Sequence, residues 1–233
     1  MNVLITGATK GIGKAIAMNM AKNGHHLALC ARSEADLNSL EKEIKTLYPE
    51  IEVFTKVANC AIKTDVNAFA DAALQNYKHI DVLVNCVGIF KPSLILDEDD
   101  DSLDIHLKTN VFAAYYLYKK LAPSMIKRLN GFIFNICSVA SISTIKNAGS
   151  YCVTKAALLS LNNTMREELM QYDVKVSAIL PGSTLTDSWQ GTGIPHQEFI
   201  KPEDVASAIE MILNLSSGAN VDQILIKPIH GQL

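Results

Sequence analysis

Val3-Leu4-Ile5-Thr6-Gly7-Ala8-Thr9-Lys10-Gly11-Ile12-Gly13 sets a short apolar run directly before three glycines spaced GxxxGxG. The run reads as a strand, and the residues that follow carry helical periodicity, so the glycines stand in a strand-to-helix turn. In that setting backbone N–H groups and a helix dipole face outward with no side chains in the way, which suits a pyrophosphate. Gly7, Gly11 and Gly13, with Thr9, Lys10 and Ile12 between them, are therefore candidate cofactor contacts. The spacing departs from the GxGxxG of the most familiar dinucleotide folds, and a glycine-rich turn by itself is weak support. Its position after the opening strand strengthens it.

Outward from this turn, short apolar runs recur at 3–5, 27–30, 53–57, 82–84, 132–137, 174–180 and 224–226. Between them lie helical stretches at 11–23, 33–47, 64–77, 102–128, 150–171 and 202–214, several opened by a start signal such as Ser33, Thr64, Ser102 or Pro202. Strands that are apolar on both faces and alternate with helices call for a parallel sheet covered on either side. The expected fold is α/β: a single-domain, doubly wound Rossmann fold with a seven-stranded parallel sheet, spanning residues 1–233. Asp97-Glu98-Asp99-Asp100-Asp101 reads as a solvated loop leading into the helix that Ser102 begins.

With 233 residues and 48% hydrophobic side chains the chain can bury a full core. A net charge of −3, with scattered lysines and arginines, gives no reason to expect a nucleic acid or an anionic membrane as partner. No secretory leader pattern and no long apolar run is seen, so a cytoplasmic protein acting on small molecules is expected. Five cysteines without CxxC spacing fit neither a disulfide framework nor a zinc site, and the histidines lack metal-ligand partners at useful spacing.

At the end of the second strand, a cofactor without a 2′-phosphate is usually met by an acidic residue, but here stands Cys30-Ala31-Arg32-Ser33. Arg32 suits bidentate contact with a phosphate, Ser33 adds a hydroxyl and a helix-start N–H, and Lys10 supplies a second cation. NADP(H) is expected over NAD(H).

Tyr151 and Lys155 are four residues apart and follow Ser138 by thirteen and seventeen. Positions i and i+4 share one helix face, which puts an ammonium beside a phenol. A phenol is a poor proton donor or acceptor near neutrality, and a fixed positive charge nearby favours its ionised form. Such a pair can do acid–base work.

Taken together, these residues resemble the short-chain dehydrogenase/reductase family over essentially the whole chain. The likeness rests on the TGxxxGxG turn at 6–13, the Asn85-Cys86-Val87-Gly88 segment, the Ser138 with Tyr151-xxx-Lys155 set, and Pro181-Gly182-Ser183-Thr184-Leu185-Thr186. The resemblance implies that Tyr151 is the proton donor or acceptor at the substrate oxygen, and that Ser138 hydrogen-bonds the same oxygen. It implies that Lys155 holds the nicotinamide ribose, and that Asn110 organises a water and proton relay to Lys155. It also implies cofactor contacts at Asn85, Val87 and Gly88, at Pro181 and Gly182, and at Thr184 and Thr186.

Three departures accompany the likeness. Val87 stands where alanine is common, and Asn59 replaces an aspartate that meets the adenine amino group. The segment from Asp187 to Ile200, which covers the substrate in this family, is short; it carries Trp189 between substrate stacking and burial, and Gly191 and Gly193 as points of freedom. The implied activity is interconversion of a carbonyl and a secondary alcohol on a small or medium organic substrate. Carbonyl- and sepiapterin-reductase-like members are the nearer comparison, with a 3-oxoacyl-[acyl-carrier-protein] reductase as the alternative within the family. A non-catalytic NADP(H)-binding regulatory protein is the alternative outside enzymes. The resemblance also implies a homodimer or homotetramer paired through the helices at 102–128 and 150–171. Ala113, Leu117, Leu121, Ala157, Leu161 and Leu169 can face either the sheet or a twin subunit.

Overall fold

The computed structural model describes residues 1–189 and 191–230. Its strands are β1 (Asn2–Thr6), β2 (His26–Ala31), β3 (Val53–Val57), β4 (Val82–Asn85), β5 (Gly131–Ile136), β6 (Val174–Pro181) and β7 (Gln223–Ile226). All pair in parallel, in the order β3-β2-β1-β4-β5-β6-β7. The order reverses between β1 and β4, and in such a sheet the crevice for a ligand opens there, beyond the carboxyl ends of the strands.

The helices are α1 (Gly11–Lys22), α2 (Glu34–Leu47), α3 (Lys63–Tyr77), α4 (Ser102–Leu107), α5 (Ala113–Arg128), α6 (Gly149–Leu169) and α7 (Pro202–Leu213). Alternate residues of β1 explain the two layers. Val3 and Ile5 pack with Ile16 and Met20 of α1, Leu37 of α2 and Ile209 of α7 on one face. Leu4 packs with Phe69 of α3, Leu117 and Leu121 of α5 and Met165 of α6 on the other. Burying each such aliphatic side chain stabilises the fold by about 1.5–3 kcal/mol, which is why both faces of every central strand are apolar. Leu117, Leu121 and Leu169 thus face the sheet and are not available to a twin subunit.

Start signals are met in part. Ser33 caps α2, its hydroxyl accepting from the Asp36 N–H at 3.2 Å, and Pro202 opens α7 as its first residue. Ser102 is the first residue of α4, after Asp101. Thr64 is not a cap: α3 begins one residue earlier behind Ile62, with Asp65 turned back to accept from the Asn59 N–H at 3.0 Å.

Two further departures bear on the site. The stretch expected as one helix over 102–128 is interrupted by a wide π turn, Lys108–Phe112, with Asn110 at its centre. Such turns carry one extra residue and are frequent at functional sites. The acidic run is also not wholly solvated, because Glu98 leaves it to accept hydrogen bonds from Ser150 at the start of α6.

Candidate functional site

Beyond β1, Gly7 takes φ +66° and Gly11 φ +48°, the left-handed region that a side chain disfavours. The three glycines also fill space that no Cβ can occupy. A Cβ on Gly13 would stand 2.1 Å from the Gly7 carbonyl oxygen, one on Gly7 3.0 Å from Val87 Cα, and one on Gly11 2.8 Å from Thr186 Cγ2. The turn is thereby brought against two other segments named from sequence, the end of β4 and the turn after β6. Thr6 tightens the first junction: its hydroxyl oxygen accepts from the Cys86 and Val87 N–H groups, both at 3.1 Å. Thr9 and Ile12 are half-buried on this turn, and Ile12 packs against the core beneath it.

At the end of β2, Arg32 is exposed and Ser33 starts α2. The Arg32 charge also reaches the Cys60 thiol, which places it beside the loop after β3. Lys10 is exposed and lies 3.9 Å from the Asp187 carboxylate. Asn59 is half-buried, and its side-chain oxygen already accepts from the Ala61 N–H at 3.1 Å, so the amide is held in a local turn. One lone pair of that oxygen remains for a further donor.

The polar centre lies at the ends of β4 and β5. Asn110 is buried and grips Ile89 at both ends of its amide: its oxygen accepts from the Ile89 N–H at 2.8 Å, and its nitrogen donates to the Ile89 carbonyl at 3.2 Å and to Thr154 Oγ1 at 3.0 Å. Lys155 is buried as well, its Nζ donating to the Ile136 carbonyl at 2.8 Å and lying 5.7 Å from the Tyr151 ring centroid. A Cβ on Gly88 would stand 3.5 Å from Asn110 Oδ1 and 3.6 Å from Lys155 Nζ, so these three residues converge. The ammonium's field is felt by neighbouring thiols. Burial pushes Cys86 up to about 12 and Cys137 up to about 11, and the Lys155 charge opposes both shifts.

Tyr151 is the third residue of α6, and its ring meets Phe90 edge-on with centroids 4.9 Å apart. Ser138 follows β5 and caps a short 3-10 turn, its hydroxyl oxygen accepting from the Ala140 N–H at 3.1 Å. The ammonium and the carboxamide thus converge at Gly88, with the phenol one helical turn before the ammonium and the hydroxyl two residues past the Ile136 carbonyl that the ammonium holds. That set can hold a hydroxyl or carbonyl oxygen and pass it a proton.

Asn85 and Thr184 both have partners within the protein. The Asn85 side chain is buried and donates to Asn135 Oδ1 at 2.8 Å, and Asn135 donates in turn to Asn162 Oδ1 at 2.9 Å. This chain of amides braces β4, β5 and α6 from within, and leaves the Asn85 Oδ1 without a protein partner. Thr184 is buried with its hydroxyl donating to the Gly182 carbonyl at 2.9 Å, and Gly182 N–H donates to the Ile226 carbonyl at 2.7 Å. Both shape the turn that Pro181 begins; Thr186 is the residue of that turn set against Gly11. Trp189 is half-buried and packs on Phe199, ring centroids 4.9 Å apart, and the two rings line a cavity with Leu185, Thr186 and Ile194. Residues that sequence reading passed over are Phe90, Glu98, Asn135, Thr154 and Asn162; the last four act through contacts far apart in the chain.

The sequence pattern of the family described as short chain dehydrogenase matches residues 1–194. The chain is 30% identical over 226 residues to an uncharacterized oxidoreductase of Staphylococcus haemolyticus, covering 97% of this chain and 96% of that one. It is 29% identical over 239 residues to the sepiapterin reductase of Chlorobaculum tepidum, covering 99% and 97%. Among solved structures, the L-sorbose reductase of Gluconobacter frateurii complexed with NADPH and L-sorbose superposes with a TM-score of 0.90 at 25% identity, covering 97% of this chain and 94% of that one. The doubly wound sheet, the glycine turn set against β4, and the family match over 1–194 lead to one conclusion: this chain belongs to the short chain dehydrogenase family.

Proposed function

We propose that this chain is an NADP(H)-dependent oxidoreductase that interconverts a carbonyl and a secondary alcohol on a small or medium organic substrate, and that residues 1–233 work as one cofactor-binding catalytic domain. The observation that carries the reading is the convergence of Lys155 and Asn110 on Gly88, with Tyr151 on the same helix face as Lys155. The solved relative with NADPH and a sugar substrate, at 25% identity, supports the cofactor and the reaction class.

The residues present fit the cofactor. Gly7, Gly11 and Gly13 let the turn close on itself, Val87 and Thr186 with no side chain of its own ahead of α1, whose N-terminus suits an anionic pyrophosphate. Arg32, exposed after β2, and Ser33 offer a cation and a hydroxyl suited to a 2′-phosphate, and Lys10 is an exposed cation on the glycine turn. Lys155 has donors beyond the one given to Ile136, which suits the hydroxyls of a ribose. When bound, the cofactor supplies the hydride.

The chain's own part is acid–base and electrostatic. Ser138 accepts from Ala140, which leaves its hydroxyl proton to donate to the substrate oxygen. Tyr151 gives that oxygen its proton on reduction and takes it on oxidation, while Lys155 stabilises negative charge on the phenol oxygen. Donors preorganised around an oxygen that gains charge lower the barrier by several kcal/mol. Reduction is the direction in the cell if the phosphorylated cofactor is held reduced in the cytoplasm. A substrate nearer those of carbonyl and sepiapterin reductases than an acyl carrier protein is supported by the short segment after Thr186 and by the sepiapterin reductase relative.

A homodimer or homotetramer is part of the same reading. Leu103, Ile105, Phe112, Tyr115 and Val153 are exposed on α4, α5, α6 and the turn between α4 and α5, where a twin would bury them.

The test is NADPH oxidation against aldehydes, ketones, diketones, pterins and acyl thioesters, with wild type and Tyr151→Phe compared. One substrate class is expected to turn over, and the variant to lose about 10²–10⁴-fold in kcat. Full turnover by the variant would refute the role of Tyr151.

A further inference from the structure

The first turn of α6 carries Tyr151, yet its own cap residue does not close it. Ala148 has no side chain to accept from the first N–H groups, which a helix leaves without internal partners. The partners come from the segment between β4 and α4. Gly149 N–H donates to the Ser93 carbonyl at 3.1 Å, and Ser93 N–H donates to the Asn147 carbonyl at 2.9 Å. Ser150 N–H donates to Glu98 Oε1 at 2.8 Å, and the Ser150 hydroxyl donates to Glu98 Oε2.

The fit is close. A Cβ on Gly149 would stand 2.6 Å from Ile95 Cγ1 and 2.7 Å from Glu98 Oε1, so only glycine lets the segment lie against the helix. The same segment is held at its other end by Asn110 on Ile89 and by Phe90 on the Tyr151 ring. A carboxylate also suits the positive end of the α6 dipole. The Ser150 amide and then the Ser150 hydroxyl hold the Glu98 carboxyl below the ordinary carboxylate range.

We propose that Glu98 is a positioning residue that caps the catalytic helix from 52 residues away and so fixes the Tyr151 phenol, coupling the segment 89–98 to the proton donor. This rests on the oxidoreductase reading for its kinetic consequence and on the geometry alone for the cap. Glu98 touches no reacting atom; it acts through Ser150 and the turn that follows. Neighbouring Asp99 has a different role, an exposed pair with Lys91 at 2.7 Å, and serves as the control.

The experiment compares wild type with Glu98→Ala, Glu98→Gln and Asp99→Ala by amide hydrogen exchange and by NADPH-dependent turnover of the best carbonyl from the substrate panel. Glu98→Ala is expected to speed exchange at Ser150 and the first turn of α6 by about tenfold and to lower kcat by about tenfold, since small misplacements of a reacting group are costly. KM for NADPH is expected to stay within about twofold, because the glycine turn and Arg32 are untouched. Glu98→Gln keeps an acceptor for the Ser150 N–H and is expected to restore most of both, while Asp99→Ala leaves both unchanged. Unchanged exchange at Ser150 in Glu98→Ala overturns the proposal, as does faster exchange with full kcat, or a Glu98→Gln no better than alanine. If wild type turns over no carbonyl, the oxidoreductase reading fails, and the exchange arm still decides whether Glu98 caps the helix.

Discussion

Asn110 holds the main chain of Ile89 by both its N–H and its carbonyl, from the middle of a π turn 21 residues away. The resemblance assigns Asn110 a place in a water and proton relay. Its amide here is already engaged with Ile89 and Thr154, so any relay role is added to a structural one. Asn110→Leu keeps the branched shape and takes from the half-buried Ile89 N–H and carbonyl their side-chain partner. Urea unfolding is expected to show a loss of about 1–3 kcal/mol. A stability equal to wild type would show that Ile89 finds other partners.

Gly13 and the Gly7 carbonyl are too close for any side chain between them. Gly13→Ala must move the turn, and NADPH affinity measured by fluorescence titration is expected to fall at least about tenfold, because the N–H groups that meet the phosphates no longer converge. Gly24→Ala is the comparison, since nothing lies within 4 Å of a Cβ there and its φ of +81° strains the fold alone. An affinity loss in Gly24→Ala as large as in Gly13→Ala would remove the cradle from the explanation.

Arg32 is exposed at the end of β2 and free of short-range competition from Lys10, which leans toward Asp187. Arg32→Asp replaces a fork suited to phosphate by a carboxylate suited to ribose hydroxyls. The ratio of kcat/KM for NADPH over NADH is expected to fall by about 10–100-fold, from loss of a charge-assisted contact. An unchanged ratio would reject Arg32 as the 2′-phosphate contact.

Tyr77 ties α3 to the sheet, its hydroxyl donating to the Leu27 carbonyl at 3.0 Å and the Glu52 carbonyl at 3.2 Å. Burial, then the Glu52 charge, pushes its phenol from 10.0 up to about 12. The unfolded phenol ionises near pH 10 while the folded one keeps its proton to about 12, so the unfolded state binds fewer protons in that window. The contribution is fully present below about pH 10 and is lost as pH rises toward 12. Tyr77→Phe is expected to cost about 0.5–1.5 kcal/mol near neutrality, and the gap from wild type to narrow near pH 11. A gap independent of pH would contradict this assignment.

How far the sequence reads depends on the range of the interaction. Each central strand is apolar on both faces, so Val3–Ile5 or Val82–Val84 is visible in any short window, and the glycine turn declares itself because Gly7, Gly11 and Gly13 sit together at the end of the first strand. The i, i+4 relation of Tyr151 and Lys155 is local as well. What escapes is contact at long separation. Glu98 looks like one acid in a solvated run because its partner is 52 residues on, and the amide chain of Asn85, Asn135 and Asn162 is hidden because its members lie on three elements. The π turn escapes for another reason: one extra residue hardly disturbs the periodicity of a helix already rich in apolar side chains.

That turn has a consequence for how the gene can change. A deletion of one codon within 108–112 would let a regular helix run through, at no cost in hydrogen bonding. It would leave the two flanks facing as before, because the wide turn fits its extra residue into about one revolution. The buried row led by Leu117 and Leu121 would stay on the sheet, and the local widening that brings the Asn110 amide to Ile89 would be lost. The extra residue thus serves the reach of Asn110 and not the packing of the helix.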